Sequence, residues 1–482
     1  MNAIQRLFSN TVMAFAGSAL MKVSTSVLFI FIGRRLGPAD AGIFTLGVTY
    51  YVIVVALSTF GLHELMVREV APRRDESGRY LTHYVIVRLL VTALLYGGLL
   101  LFLQLDLPYS VEAKTVILII ALGAFPEAVF SLFQAMFIAH EILLVPTIGA
   151  FINSAVTLSL GLWLLMTTGS VTAVAWFMPI ANTAGLIIFP IALVWLFRKV
   201  PQAKMPRLSL AFMRRQLRYT PGFILLGVFA TLNFQADTFI ISFLLTEADI
   251  GFFGAAQTIV AGFLLIPAAI RAALFPLMAR YKREDEDRLY EVYRKSGQYL
   301  LMLGFPLAVA VSVLAEPIIL LIYGEAFLPA VPVLQIMIWA VAVVVMTVPV
   351  ARMMLVYNKQ AVAGWMRGIG MSVSILLNLL LIPLLGIVGA GLARVLATLL
   401  YYVMIRVYVQ LRILRGKRLR IQSGLFVATL IMGVVVWYLR EYPLPIPILA
   451  GVIVYSVALV LLGVFKSEDR YYLRQLLQAR KF

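Results

Sequence analysis

Lys22 lies thirteen residues into a long apolar stretch, and Arg271 lies inside another more than two hundred residues later. A cation held away from water attracts anions strongly. An arginine fork matches phosphate oxygens two at a time, whereas lysine supplies a point charge. Asn233, Gln235 and Asp237 stand together in "TLNFQADTF", again within an apolar run. Asp237 has three uses open to it: holding a coupling cation, pairing with a basic residue, or accepting hydrogen bonds from hydroxyl groups. Glu127 follows Pro126 in mid-stretch, where a carboxyl is either neutral or a proton carrier. Arg394 is expected to pair with an acid near the end of its stretch. Arg34 and Arg35 follow the first stretch; two cations there would draw an anion outward or close against Asp40.

The composition decides what surrounds these groups. The chain has 482 residues, 62% hydrophobic and 13% charged. Soluble domains sit near half apolar and a quarter charged. The excess requires a lipid solvent for much of the surface. Cysteine is absent, which excludes disulfides and thiolate metal sites. His63, His83 and His140 are too scattered in sequence to suggest a metal motif. No phosphate loop of the "GxxxxGK[ST]" type and no catalytic triad pattern occurs, so the chain reads as a non-enzyme.

About 20 apolar residues are needed to cross a bilayer. Fourteen such stretches are expected, near 9–32, 40–62, 81–104, 114–138, 146–166, 172–197, 219–244, 251–278, 298–322, 330–353, 364–384, 388–410, 421–439 and 445–465. The first is too long and too charged to be a cleaved leader. Of the 40 lysines and arginines, Arg34, Arg35, Lys114 and Arg440 fall on one side of the membrane. Lys22, Arg271 and Arg394 fall inside stretches, and the rest lie with both termini on the other side. By the positive-inside rule that richer side is cytoplasmic, so the +18 net charge is mainly a topology signal and gives no reason to expect nucleic acid. At about 1.5 Å per residue, Lys22 is roughly 20 Å deep, near mid-membrane. Arg271 is nearer the inner third.

One phrase recurs. "LGPADAGIF" (Leu36 to Phe44) and "LTEADIGFF" (Leu245 to Phe253) match at Leu36/Leu245, Ala39/Ala248, Asp40/Asp249, Gly42/Gly251 and Phe44/Phe253, a constant offset of 209. Both copies fall on the outer side, six spans apart. That spacing predicts two parallel six-helix lobes. The expected organisation is an N-lobe over 1–200, a cytoplasmic interlobe linker over 201–218 and a C-lobe over 219–415. Spans 13 and 14 follow in 416–482, with an amphipathic tail on the membrane surface. Gly42 and Gly251 are expected to allow close helix approach just inside each turn.

The segments "RRLGPADAGIF", "STFGLHELMVREVA", "YGEAFLPAVPVLQIM" and "LLGIVGAGLARVLA" occur in an order that resembles the polysaccharide transporters. That family belongs to the superfamily that also holds multidrug and toxic compound exporters and lipid II flippases. The resemblance implies an all-α, fourteen-helix, V-shaped membrane protein, two lobes plus two C-terminal helices. It implies a flippase for polyprenyl-diphosphate-linked oligosaccharide in the cytoplasmic membrane, serving surface polysaccharide assembly. A cation-coupled multidrug exporter and a lipid II flippase are the alternatives. In lipid II flippases, cavity arginines on the first and eighth helices hold the diphosphate; Lys22 and Arg271 sit on the matching helices. Lys22, Arg271, Asn233, Gln235, Asp237, Arg34 and Arg35 are thus the expected substrate-binding residues, with Asp237 and Glu127 expected to couple transport. No cofactor is implied beyond a coupling proton or sodium ion. The expected partners are the lipid-linked glycan, membrane lipids, and a glycan polymerase with glycosyltransferases, the transporter itself being a monomer.

Overall fold

The computed structural model describes residues 3–59, 61–199, 209–217, 235–415 and 423–464. Among these the regular structure is helical, with no strand. The chain forms two compact units: Met1–Ala255 with Asn378–Ile387, and Ala256–Leu377 with Val388–Phe482. Nine helices or broken helix pairs are long and apolar enough to cross a membrane among the described residues, and two shorter apolar helices follow. The chain is therefore a multi-pass membrane protein. Most of the expected stretches coincide with a helix or a helix pair. The stretch 219–244 is described only from 235, so Asn233 and the expected linker up to 208 lie outside the described residues.

In the first unit, α1 (Ala3–Leu36), α2 (Pro38–Thr59), α3 (Leu62–Val70) and α4 (Ser77–Phe102) lead into α5 (Val111–Leu122) and α6 (Ala124–Ala139). Then come α7 (Leu144–Thr168), α8 (Val171–Ala175), α9 (Phe177–Gly185), α10 (Ile188–Lys199) and α11 (Leu210–Leu217). A helical stretch over 235–244 (α12) and the start of α13 (Glu247–Phe263) complete it. The second unit carries α14 (Leu265–Glu284), α15 (Glu286–Val313), α16 (Ala315–Ile322), α17 (Val331–Val356) and most of α18 (Gln360–Leu385). It ends with α19 (Ile387–Tyr408), α20 (Ser423–Tyr438) and α21 (Pro445–Leu461). Helix α1 packs on α7, and α2 on α5; in the second unit α15 packs on α17, and α20 on α21.

Several spans are broken helices, and the breaks obey one rule. Each falls three residues before a proline: at Gly123 before Pro126, Trp176 before Pro179, Leu264 before Pro267 and Leu314 before Pro317. Proline has no N–H for the carbonyl four residues back and its ring clashes there, whereas the first turn of a new helix tolerates it. At the first of these breaks a side chain reaches the backbone, the Asn182 amide donating to the Gly123 carbonyl at 2.9 Å. This is how the chain brings polar backbone into an apolar interior.

Two further features fix the first unit. Helix α11, from the expected linker, docks at the basic-rich end. Phe212 is buried against Tyr80 and His83, Arg79 stands 4.3 Å from its ring, and the Ser209 N–H donates to His83 Nε2 at 2.9 Å. At the other end the two copies of the repeated phrase meet. A Cβ on Gly42 would fall 1.7 Å from the Glu247 carbonyl oxygen, and one on Gly251 would fall 2.0 Å from that of Pro38. Real Cβ atoms do not approach so closely. The repeated glycine is a backbone-to-backbone seam between α2 and α13, made with its own copy. This is more than the closely packed turn expected of each copy separately.

Candidate functional site

Arg271 sits on α14, exposed, seven residues into the helix. It has company that composition alone does not show. Arg352, five residues before Tyr357 at the end of α17, interacts electrostatically with Arg271, and Arg271 does so with Arg367, near the start of α18. Helices α14 and α17 pack together, which brings the first two into range. The Arg352 guanidinium lies 5.7 Å from the Phe275 ring centroid, one turn beyond Arg271, and Arg367 lies 5.2 Å from that of Tyr401. Aromatic faces hold these cations without neutralising them. Among the described residues none of the three forms a salt bridge, and Arg352 Nε is buried without a hydrogen-bond partner. Like charges gathered at membrane depth repel and are costly to desolvate. An anion carrying several oxygens relieves both costs at once.

Arg352 and Arg367 were not among the residues expected from sequence. Both fall within two turns of a helix end, where a cation reads as part of the basic surface. Arg88 was not expected either, although it lies well inside its helix. It is inside α4, 1% exposed, and donates to the Ser131 hydroxyl and, at 3.1 Å, to that of Thr59. Their signal was available: each lies inside an expected apolar stretch, as Lys22 does.

Lys22 is exposed on α1 in the first unit. Gly17, Ser24 and Leu28 mark the face of α1 turned to α7: Gly17 abuts Ala150, and Leu28 abuts Gly161. At 3.6 residues per turn, Lys22 is about 140° around from that line. It shares its side of the helix with Phe29, which packs on Phe44 of α2 and beside Gly254 of α13. Lys22 thus faces away from the α7 packing.

The remaining expected residues separate into bound and unbound groups. Asp237 is 1% exposed and accepts from Asn378 Nδ2 at 2.7 Å. Gln235 Oε1 accepts from the Thr49 hydroxyl at 3.4 Å, a long bond. Glu127 opens α6 just past the break at Gly123 and interacts electrostatically with Arg88 and Tyr51. Around it Asn182 donates to Tyr51 Oη at 3.0 Å and to the Gly123 carbonyl at 2.9 Å, and accepts from Asn153 at 2.8 Å. Arg35 donates to the Met166 carbonyl at 3.2 Å and contacts its sulfur, capping the end of α7. Arg34 is exposed. Among the described residues neither arginine is ion-paired with Asp40. The expected closure on Asp40 is therefore not made in this structure, because Arg35 is engaged with α7 instead.

Helices broken at prolines and a glycine seam between two of them mark a polytopic membrane protein, and it carries a cluster of arginines without salt bridges among the described residues. The sequence pattern of the polysaccharide biosynthesis protein family matches residues 31–332, and the chain belongs to that family. The pattern of the lipid II flippase MurJ matches residues 223–446. A probable low-salt glycan biosynthesis flippase, Agl15 of Haloferax volcanii, is 23% identical over 368 residues, 76% of each chain. Among solved structures, the lipid II flippase MurJ in an inward closed conformation superposes with a TM-score of 0.74 at 15% identity, covering 94% of this chain and 98% of that one. An inward-facing multidrug resistance MATE family transporter gives 0.64 at 13% identity, covering 82% and 96%. These likenesses show the fold, and the helical membrane architecture agrees with the sequence reading.

Proposed function

We propose that this protein is a flippase. It accepts a polyprenyl-diphosphate-linked oligosaccharide at the inner leaflet of the cytoplasmic membrane and delivers it to the outer leaflet for surface polysaccharide assembly. The observation that carries the reading is the cluster of Arg271, Arg352 and Arg367, whose charged neighbours are one another. A diphosphate supplies the missing counter-charge, and forked guanidiniums match its oxygens. A cationic drug would meet repulsion there. The family membership and the flippase named among the relatives support the same substrate class.

The transport step follows from alternating access. With the basic-rich side cytoplasmic, the seam between Gly42 and Gly251 closes the outer side while the arginines receive the diphosphate. The seam then parts, and the diphosphate leaves outward while the polyprenyl chain stays in lipid. Lys22 is a second cation for the diphosphate, and Asp237 or Glu127 carries a coupling proton or sodium ion. No chemical bond is made or broken.

The test is flipping of a fluorescent lipid-linked oligosaccharide in proteoliposomes. The expected result is loss of flipping in Arg271→Ala and Arg352→Ala with the protein still folded. Full-rate flipping in both variants would refute the anion site. Equal transport of lipid II would place the protein with the lipid II flippases instead, a reading that the match over residues 223–446 favours.

A further inference from the structure

A second cationic feature lies in the second unit, apart from the arginine cluster. A crevice open to its surroundings is lined by α15, α17, α19 and α20. Its polar end is formed by Arg294, Gln298, Tyr402 and Arg406. Arg406 donates to the Tyr402 hydroxyl, which fixes its fork at the rim. Among the described residues no carboxylate lines the crevice. Its other end is formed by Leu301, Met302, Met346 and Leu425. Along α15, Leu301 and Met302 lie seven and eight residues beyond Arg294, about 10–12 Å deeper at 1.5 Å per residue. On α17, Met346 is about 120° around the helix from Arg352, so this is a different face from the one that carries the arginine cluster.

The crevice is therefore cationic at one end and apolar at the other, and the order is that of a bilayer leaflet. The cationic end lies where the chain is most basic: α15 follows "RYKRED", Arg406 is in the last turn of α19, and α20 begins just after "RGKRLR". We propose that this crevice binds a resident anionic phospholipid. Arg294 and Arg406 hold its phosphate, and the upper part of an acyl chain lies over Leu301, Met302, Met346 and Leu425. Paired guanidiniums suit a phosphate. Methionines adapt to a flexible chain. The head must be compact, because Gln298 is the one carboxamide among the lining residues and a glycan would find few partners. The site does not depend on the flippase reading.

The experiment is native mass spectrometry and thermal unfolding of the purified full chain in detergent, with phosphatidylglycerol, phosphatidylcholine, glycerol phosphate or undecaprenyl diphosphate added separately. Phosphatidylglycerol should be retained one per chain and should raise the unfolding temperature. Phosphatidylcholine and glycerol phosphate should do so at least about tenfold more weakly, one lacking net charge and the other a chain. Arg294→Gln with Arg406→Gln should weaken phosphatidylglycerol about tenfold or more, two charge-assisted contacts being lost. Met346→Trp, which fills the floor, should expel the lipid while both arginines remain. Arg294→Gln alone, at an exposed position, guards against misfolding and should show an intermediate loss. Equal retention in wild type and all variants would mean non-specific annular lipid and overturn the proposal. So would stoichiometric displacement of phosphatidylglycerol by undecaprenyl diphosphate, which would make the crevice a substrate site.

Discussion

In the first unit Arg88 is buried with its two terminal nitrogens bonded to the hydroxyls of Ser131 and Thr59, its Nε unpartnered and Glu127 as a charged neighbour, and Asp237 is buried in a bond from Asn378. In the second unit Arg352 likewise has a buried Nε with no partner, but its charged neighbour is another arginine. Both arrangements place ionised groups at membrane depth, where an unpaired charge is expensive. The first has an opposite charge within its own unit, Glu127 beside Arg88. The second is incomplete until an anion arrives. Paired charge holds a structure together; unpaired like charge marks where a ligand belongs.

The largest expected effect tests whether the first unit is static. A Cβ on Gly254 would lie 2.6 Å from Thr45 Oγ1 and 3.2 Å from Cγ2, beside the Gly42–Gly251 seam. The absence of natural cysteine makes Thr45→Cys with Gly254→Cys a clean pair, and a disulfide is within geometric reach. Under oxidation, flipping should fall to background and return on reduction. Undiminished flipping with a fully formed disulfide would mean that the seam never opens, and the first unit would then be scaffold alone.

Next in size is the contrast itself. Arg352→Ala and Arg271→Ala should each slow flipping by roughly 10–100-fold, the worth of about 1.5–3 kcal/mol in a hydrogen bond to a charged group. Their thermal stability should hold or rise, because repulsion is relieved. Arg88→Ala should do the reverse, costing about 3 kcal/mol of stability by removing two hydrogen bonds from a charged donor. If Arg88→Ala is stable and inactive while Arg352→Ala unfolds, the assignment of the two units is inverted.

Much of this was legible in the sequence, for reasons of length and period. Apolar stretches and the asymmetry of lysine and arginine gave the helices, and the constant offset of 209 picked out the two glycines. The meaning of those glycines was not legible, because nothing in one copy says that it packs on the other. Nor was the cluster. Arg352 and Arg367 flank one turn in sequence, but Arg271 is brought to them by packing of α14 on α17. Charges near helix ends look alike from sequence whether they face lipid heads or a shared interior. The broken helices were only half legible: Pro126 and Pro267 each follow a break, yet Pro349 and Pro383 sit inside unbroken helices, so proline alone does not decide.

Asp237 offers a smaller test. A diphosphate moving outward from an inside-negative compartment is driven by about 2.3 kcal/mol per charge per 100 mV. With a potassium diffusion potential and no other ion gradient, flipping should be faster when the compartment equivalent to the cytoplasm is negative. Asp237→Asn keeps an acceptor for Asn378 and removes only the charge. It should lower the rate by less than about tenfold and leave the voltage dependence in place. Equal rates at both polarities, with strict dependence on a proton or sodium gradient that Asp237→Asn abolishes, would put the drive in the first unit.

The smallest effect concerns a further unpartnered group in the first unit. His140 follows α6, outside the membrane-spanning segments, and its buried Nε2 has no partner. Burial, with the Arg74 cation adding to it, holds this imidazole below the usual histidine range. The unfolded chain therefore binds a proton at a pH where the folded chain does not. Stability from this source is intact above the unfolded value, about 6.5, and declines as the pH falls from there toward the folded value. Between pH 7.5 and 5.5 the wild-type unfolding temperature should drop on the order of 1–2 °C more than that of His140→Gln, which has no proton to take up. Identical pH profiles would mean that protonated His140 finds an acceptor in the folded state. Among the described residues, the basic-rich end of the first unit would then have no unsatisfied ionisable group, and the contrast with the arginines of the second unit would be sharper.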